Sequence, residues 1–179
     1  MNQYKPIKVI ITKEMIETAI ARDPGKYNEN SFKHGAGNVV GFLGEYMFQK
    51  VRPDFKHIDN FDCDFEGASK GKPITVDVKC KTQSVPFEPK GYYEASICKD
   101  SLHQKTDGYV FCRAYYDKEK DTFPYGWVIG SISRKEYFEM ARYLEKGTKD
   151  GDNGYVVPFS KYLAISKYSF RLILPITHP

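Results

Sequence analysis

Residues 74–81 read Ile-Thr-Val-Asp-Val-Lys-Cys-Lys, an unbroken alternation of apolar and polar side chains. A β-strand has a side-chain period of two, so Ile74, Val76, Val78 and Cys80 share one face and Thr75, Asp77, Lys79 and Lys81 the other. The apolar face needs a core to cover it, and the opposite face must accommodate an aspartate and two lysines. An all-helical fold is excluded. Residues 61–65, Phe-Asp-Cys-Asp-Phe, alternate in the same way and predict a second strand, with Phe61, Cys63 and Phe65 on one face and Asp62 and Asp64 on the other. The linker 66–73, Glu-Gly-Ala-Ser-Lys-Gly-Lys-Pro, is rich in turn formers. If the chain reverses at Lys70-Gly71, antiparallel register sets residue 64 opposite residue 77, and opposed residues have neighbouring side chains. Asp64 and Asp77 then meet on the polar face.

Two helices are expected upstream. Thr12 is suited to cap a helix over 13–22, with acidic residues early, where the helix dipole favours them, and Pro24-Gly25 beyond its end. The polar stretch 26–37 reads as a surface loop. Asn38 then caps a helix over 39–51, whose buried stripe is Val39, Phe42, Leu43, Tyr46 and Met47. Gly41 and Gly44 lack side chains and let another backbone approach. Glu45 falls just beside the stripe, on the seam between helix and sheet, and is expected neither fully buried nor freely solvated. Further strands are predicted over 7–11, 93–98, 108–116 and 125–132, with a closing strand near 168–175. A short helix or turn is expected over 99–106, and Ser133 caps a helix over 134–146 ended by Gly147. The whole, residues 1–179, reads as one α/β domain with a central mixed β-sheet flanked by helices.

Charge and composition narrow the function. The 27 basic and 23 acidic residues leave a net charge of +4, compatible with a nucleic-acid partner but without a basic tail. Contact with DNA must therefore come from a locally basic, folded surface. With 41% apolar and 28% charged residues, the chain reads as globular rather than disordered. Cys63, Cys80, Cys98 and Cys112 include no C-x-x-C pair, which speaks against structural zinc. No signal-peptide pattern opens the sequence and no apolar run approaches membrane length, so a reduced, cytoplasmic protein with no membrane partner is expected.

Opposed aspartates repel unless something compensates them, and two carboxylates sharing a site attract a hard divalent cation. Glu45 adds a third oxygen donor from the helix. Lys79, on the face of Asp77, is placed to orient an attacking water and to stabilise charge on a phosphate. This is the equipment for metal-assisted phosphodiester hydrolysis.

The same residues resemble a known superfamily. A glutamate in an early amphipathic helix (Gly-Phe-Leu-Gly-Glu, 41–45), an aspartate in the next strand (Asp-Cys-Asp-Phe, 62–65) and Asp-x-Lys at 77–79 look like the PD-(D/E)xK nucleases. The stretch Gly37 to Glu45, G-N-x-x-G-x-x-G-E, is similar to small phage-encoded members. The resemblance spans about residues 35–82. It implies a restriction-endonuclease-like fold and a Mg2+-dependent nuclease acting on DNA in the cytoplasm of the host cell, with Mn2+ as a substitute ion and a homodimer left open. It also implies Asp64, Asp77 and Glu45 as metal ligands and Lys79 as the catalytic lysine. No proline precedes Asp64, and Asp62 takes its place if the hairpin register slips.

Other residues carry weaker signals. Lys81 and Gln83 follow the motif on its face and are candidates to touch phosphate, as well as residues of a solvated strand end. His34, in the glycine-containing loop, is a candidate to reach the DNA backbone but is better read as a surface histidine. His57 and His103 lie in polar surroundings without partners at ligand spacing and carry no special role. Lys161, Lys167 and Arg171 alternate with Tyr162, Tyr168 and Phe170, a pattern better explained by an amphipathic edge strand than by base stacking. Asp-x-Lys alone is common on solvated strands; the ordered set with Glu45 and Asp64 is what favours catalysis. The rival readings are a catalytically inactive DNA-binding module and a structural or inhibitory interaction protein.

Overall fold

A computed structural model describes residues 6–23, 38–58, 60–89, 94–150 and 155–165. The loop read over 26–37, His34, Lys167, Arg171 and the closing strand near 168–175 lie outside the described residues. In chain order the elements are β1 (Ile7–Ile10), α1 (Lys13–Arg22), α2 (Asn38–Val51), β2 (Lys56–His57), β3 (Phe65–Ser69), β4 (Lys72–Gln83) and β5 (Glu94–Cys98). A 3-10 helix (Lys99–His103) follows, then β6 (Gly108–Asp117), β7 (Thr122–Ser133), α3 (Arg134–Met140), β8 (Arg142–Leu144), β9 (Lys149–Asp150), β10 (Tyr155–Val156) and β11 (Lys161–Ile165).

Among the described residues the main sheet has six strands in the order β1-β7-β6-β4-β3-β2. Its β4 and β6 run parallel and the other neighbours antiparallel, so the sheet is mixed as expected. Alternation along the central strands divides the core. Val76, Val78, Val110, Cys112 and Val128 pack beneath Met15 and Ala19 of α1 and Leu43, Met47 and Phe48 of α2. Tyr109, Phe111, Trp127 and Ile129 point the other way, onto Ala95, Ile97, Tyr137 and Ala164. Among the described residues that second face is covered by the short α3 and a three-stranded sheet, β5-β11-β8. No helix among the described residues is long and apolar enough to cross a membrane.

Thr12 caps α1 through its hydroxyl, which accepts from the Met15 amide at 3.3 Å. Asn38 is the first residue of α2 rather than the residue before it. Gly44 provides the close approach: a Cβ there would lie 2.5 Å from the Cβ of Cys80. Among the described residues nothing lies within 4 Å of a Cβ at Gly41, so no such contact is seen there. The β3–β4 hairpin turns at Lys70 and Gly71, both with positive φ (49° and 76°), as a two-residue primed turn requires. Phe65 pairs with Val76, which places residue 64 opposite residue 77 as the sequence predicts.

Three predicted elements differ. Residues 61–64 are not strand, because the Asn60 side chain accepts from the amides of Asp62 and Cys63, both at 2.9 Å, and closes a local turn instead. Phe61 consequently leaves the face of Cys63 and Phe65 and stands in solvent. The Ser133-capped helix stops at Met140, not near 146, since 142–144 pair with 161–163. The strand over 161–165 is central in its small sheet, not an edge, and Lys161 is buried there beside the rings of Tyr155 and Phe159.

Candidate active site

Strand β4 delivers Asp77 and Lys79 on the face opposite α2, and the hairpin brings Asp64 across from Asp77. The Asp64 amide donates to the Val76 carbonyl at 3.1 Å, carrying the pairing one step past β3. Its Oδ2 accepts from the Val78 amide at 2.6 Å, which aims the carboxylate at the strand carrying Asp77. Asp77 is only 2% exposed, so the polar face is interior at this position, while Thr75, Lys79 and Lys81 on the same face stay partly exposed.

Asp77 is held from two sides. The Lys79 ammonium lies 2.7 Å from its Oδ2. Gln104, just after the 3-10 helix, donates from Nε2 to Asp77 Oδ1 at 2.8 Å, and its Oε1 accepts from Lys79 Nζ at 3.1 Å. One amide thus bridges both members of the Asp-x-Lys motif. Asp77 Oδ2 is buried and has the ion pair but no well-directed hydrogen bond.

Asp64 carries the strain of this arrangement. Burial first, then the negative charges of Asp77 and Glu45, push its pKa up to about 8, against the opposing pull of the Val78 amide and the Lys79 charge. For Lys79, burial works against the ammonium. The charge and hydrogen bond of Asp77, and then the charge of Asp64, outweigh it and hold the lysine above its ordinary value.

Glu45 comes from α2, on the other side of the sheet, and is 7% exposed, hence buried rather than on an open seam. Its Oε2 lies 2.6 Å from Arg22 Nη1 and 2.9 Å from His57 Nε2. The charge of Glu45 reaches Asp64, so Asp64 stands between Asp77 and the helix glutamate.

The remaining candidates are dispersed. Asp62 turns to the following loop, where its Oδ1 accepts from the Lys105 amide at 3.3 Å. Lys81 Nζ donates to Ser96 Oγ. Gln83 donates to the carbonyls of Val85 and Phe87, at 2.7 and 2.6 Å, beyond the end of the motif. Three residues of the site carry no signal in the sequence. Gln104 lies in a stretch that predicts a short helix or turn, Arg22 closes a helix, and His57 has no partner at ligand spacing. Only contacts between distant segments bring them in, and no spacing announces them.

Among the described residues no group of three or more His, Cys, Asp or Glu side chains is arranged to hold a metal ion. The chemistry of the Asp64–Asp77 pair nevertheless fits a hard cation. Both supply oxygen donors, and the repulsion that raises Asp64 is what a divalent charge would cancel. Comparison with protein-family models, curated proteins and solved structures found no match to this chain.

Proposed function

We propose that this chain is a metal-dependent nuclease of the PD-(D/E)xK kind that hydrolyses DNA phosphodiester bonds, with Mg2+ as cofactor and Mn2+ as a substitute. The observation that carries the reading is the pair Asp64 and Asp77, set opposite each other with Lys79 beside them and with Asp64 pushed up to about 8. Such a site is arranged to be completed by positive charge. Asp64 and Asp77 are the proposed ligands, with Glu45 as the third oxygen donor from α2. When bound, the ion supplies Lewis-acid stabilisation of charge that builds on the phosphate. Lys79 would donate hydrogen bonds to the attacking water and to the phosphate oxygens, and offset charge beside the buried Asp77 carboxylate. Gln104 holds the Asp77 carboxylate and the Lys79 ammonium in mutual register, and Arg22 and His57 orient Glu45.

A second reading is favoured by one observation: Asp77, Lys79 and Gln104 are already joined to one another by an ion pair and two hydrogen bonds. A DNA-binding module without catalysis would keep such a closed triangle, and it would bind without cleaving at any divalent ion. A cleavage assay on plasmid and single-stranded DNA with Mg2+ or Mn2+ separates the two. The nuclease reading expects cleavage by the wild-type chain and none by a folded Asp77→Ala variant. Wild-type rates in that variant overturn it.

A further inference from the structure

Phe61 is 74% exposed, and its ring stacks on His103 with centroids 4.2 Å apart and planes 21° from parallel. Neither ring belongs to the core. A solvent-facing phenylalanine gains little from burial, and among the described residues its ring contact is the stack on His103, with most of its surface exposed.

The position of this pair gives it meaning. Phe61 lies three residues before Asp64, and His103 immediately precedes Gln104, the residue that bridges Asp77 and Lys79. A chain spans at most about 3.6 Å per residue, so the Phe61 backbone lies within roughly 11 Å of the Asp64 backbone. Both loops are tied down. Asn60 closes the turn over Asp62 and Cys63, and Asp62 accepts from the Lys105 amide. On the other loop, His103 Nδ1 donates to the Asp100 carbonyl at 2.6 Å. The rings are thus presented on two mutually fastened loops, beside the exposed Lys105.

We propose that Phe61, backed by His103, is a stacking platform for an unpaired nucleobase next to the cleavage site, so that the substrate is DNA presenting single-stranded nucleotides there. This rests on the nuclease reading and specifies its substrate. A base within a duplex already has both π-faces covered by its neighbours, whereas an unpaired base has one to offer. Phe61 carries no hydrogen-bonding group, so the platform accepts any base. Lys105 supplies positive charge for the adjoining backbone, where Asp62 and Asp64 alone would repel it.

The test uses the full chain and a short single-stranded DNA carrying 2-aminopurine, whose fluorescence is quenched on stacking, in metal-free buffer. Quenching by the wild-type protein is expected. Phe61→Ala, an exposed change that leaves thermal unfolding unaltered, should weaken single-strand binding about tenfold or more, the scale of one lost base–aromatic stack. Phe61→Trp should restore it, and duplex binding should not change. No quenching, an unaltered single-strand Kd in Phe61→Ala, or equal weakening for duplex overturns the platform. Cleavage with Mg2+ or Mn2+ is scored separately. Stacking without any cleavage by wild type removes the nuclease reading and leaves the platform. Cleavage of every substrate equally well by wild type and Phe61→Ala removes the platform and leaves the nuclease.

Discussion

Lys79 sits 2.7 Å from Asp77 Oδ2, yet an ammonium has donors and no acceptor and is not a metal ligand. Its charge opposes a neighbouring cation while favouring the attacking water and the phosphate. Lys79→Met keeps much of the aliphatic length and removes the charge. Metal affinity measured by calorimetry should hold or rise, while the cleavage rate falls by roughly 10²-fold or more. Normal cutting, or loss of metal along with activity, would reduce Lys79 to a structural partner of Asp77. How far such a site can be read in advance differs residue by residue. Asp64 opposite Asp77 was legible, because a two-residue turn and strand alternation fix register locally. The depth of Asp77 was not, since alternation assigns a face and not whether that face meets water or a second sheet. Gln104 was invisible for a related reason: it reaches Asp77 across the connection between two parallel strands, where sequence distance says nothing about contact.

Among the elements, α2 is the one whose seating decides where Glu45 goes, and Gly44 decides the seating. A Cβ at Gly44 would sit 2.5 Å from Cys80 Cβ and 3.4 Å from Val78 Cγ1, rigid parts of a strand in the middle of the sheet. Gly44→Ala should therefore destabilise the fold by about 1–3 kcal/mol, the usual scale of overpacking. Gly41→Ala, on the same helix but in open space, should stabilise by about 0.5–1 kcal/mol through the restricted unfolded chain and better helix propensity. Urea unfolding of the two variants checks the contrast; equal effects would mean that the helix does not rest on Cys80. The starts of α1 and α3 followed from the Thr12 and Ser133 caps, and the central strands from periodicity. What did not follow were elements decided by competition. Asn60 draws residues 61–64 out of the strand pattern, and pairing with β11 takes 142–144 from a helix that Ser133 begins well. In both, a hydrogen-bonding partner outweighs intrinsic preference.

For the molecule as a whole, the main sheet carries α1 and α2 on one side and the short α3 with a small sheet on the other, and the acidic cluster gathers residues from both sides at the start of β3. Asp64 links them, feeling Asp77 from one face and Glu45 from the other. Stability must then depend on pH in an unusual sense. Asp64 holds its proton up to about 8 when folded, against an ordinary value of 3.8. Between those values the native state binds more protons than the unfolded chain, so this group's contribution is fully present below about pH 4 and is lost as pH rises to about 8. The slope from one such proton is at most about 1.4 kcal/mol per pH unit. A divalent cation favours the ionised form, so stabilisation by Mg2+ should grow over the same window and fade toward pH 4. Thermal unfolding of metal-free and Mg2+-supplemented protein at pH 5, 6, 7 and 8 reads both effects. Asp64→Asn should flatten the metal-free slope and remove most of the Mg2+ effect. If the variant keeps the wild-type slope, the proton belongs to another group; if Mg2+ stabilises equally at every pH, the ion binds away from Asp64.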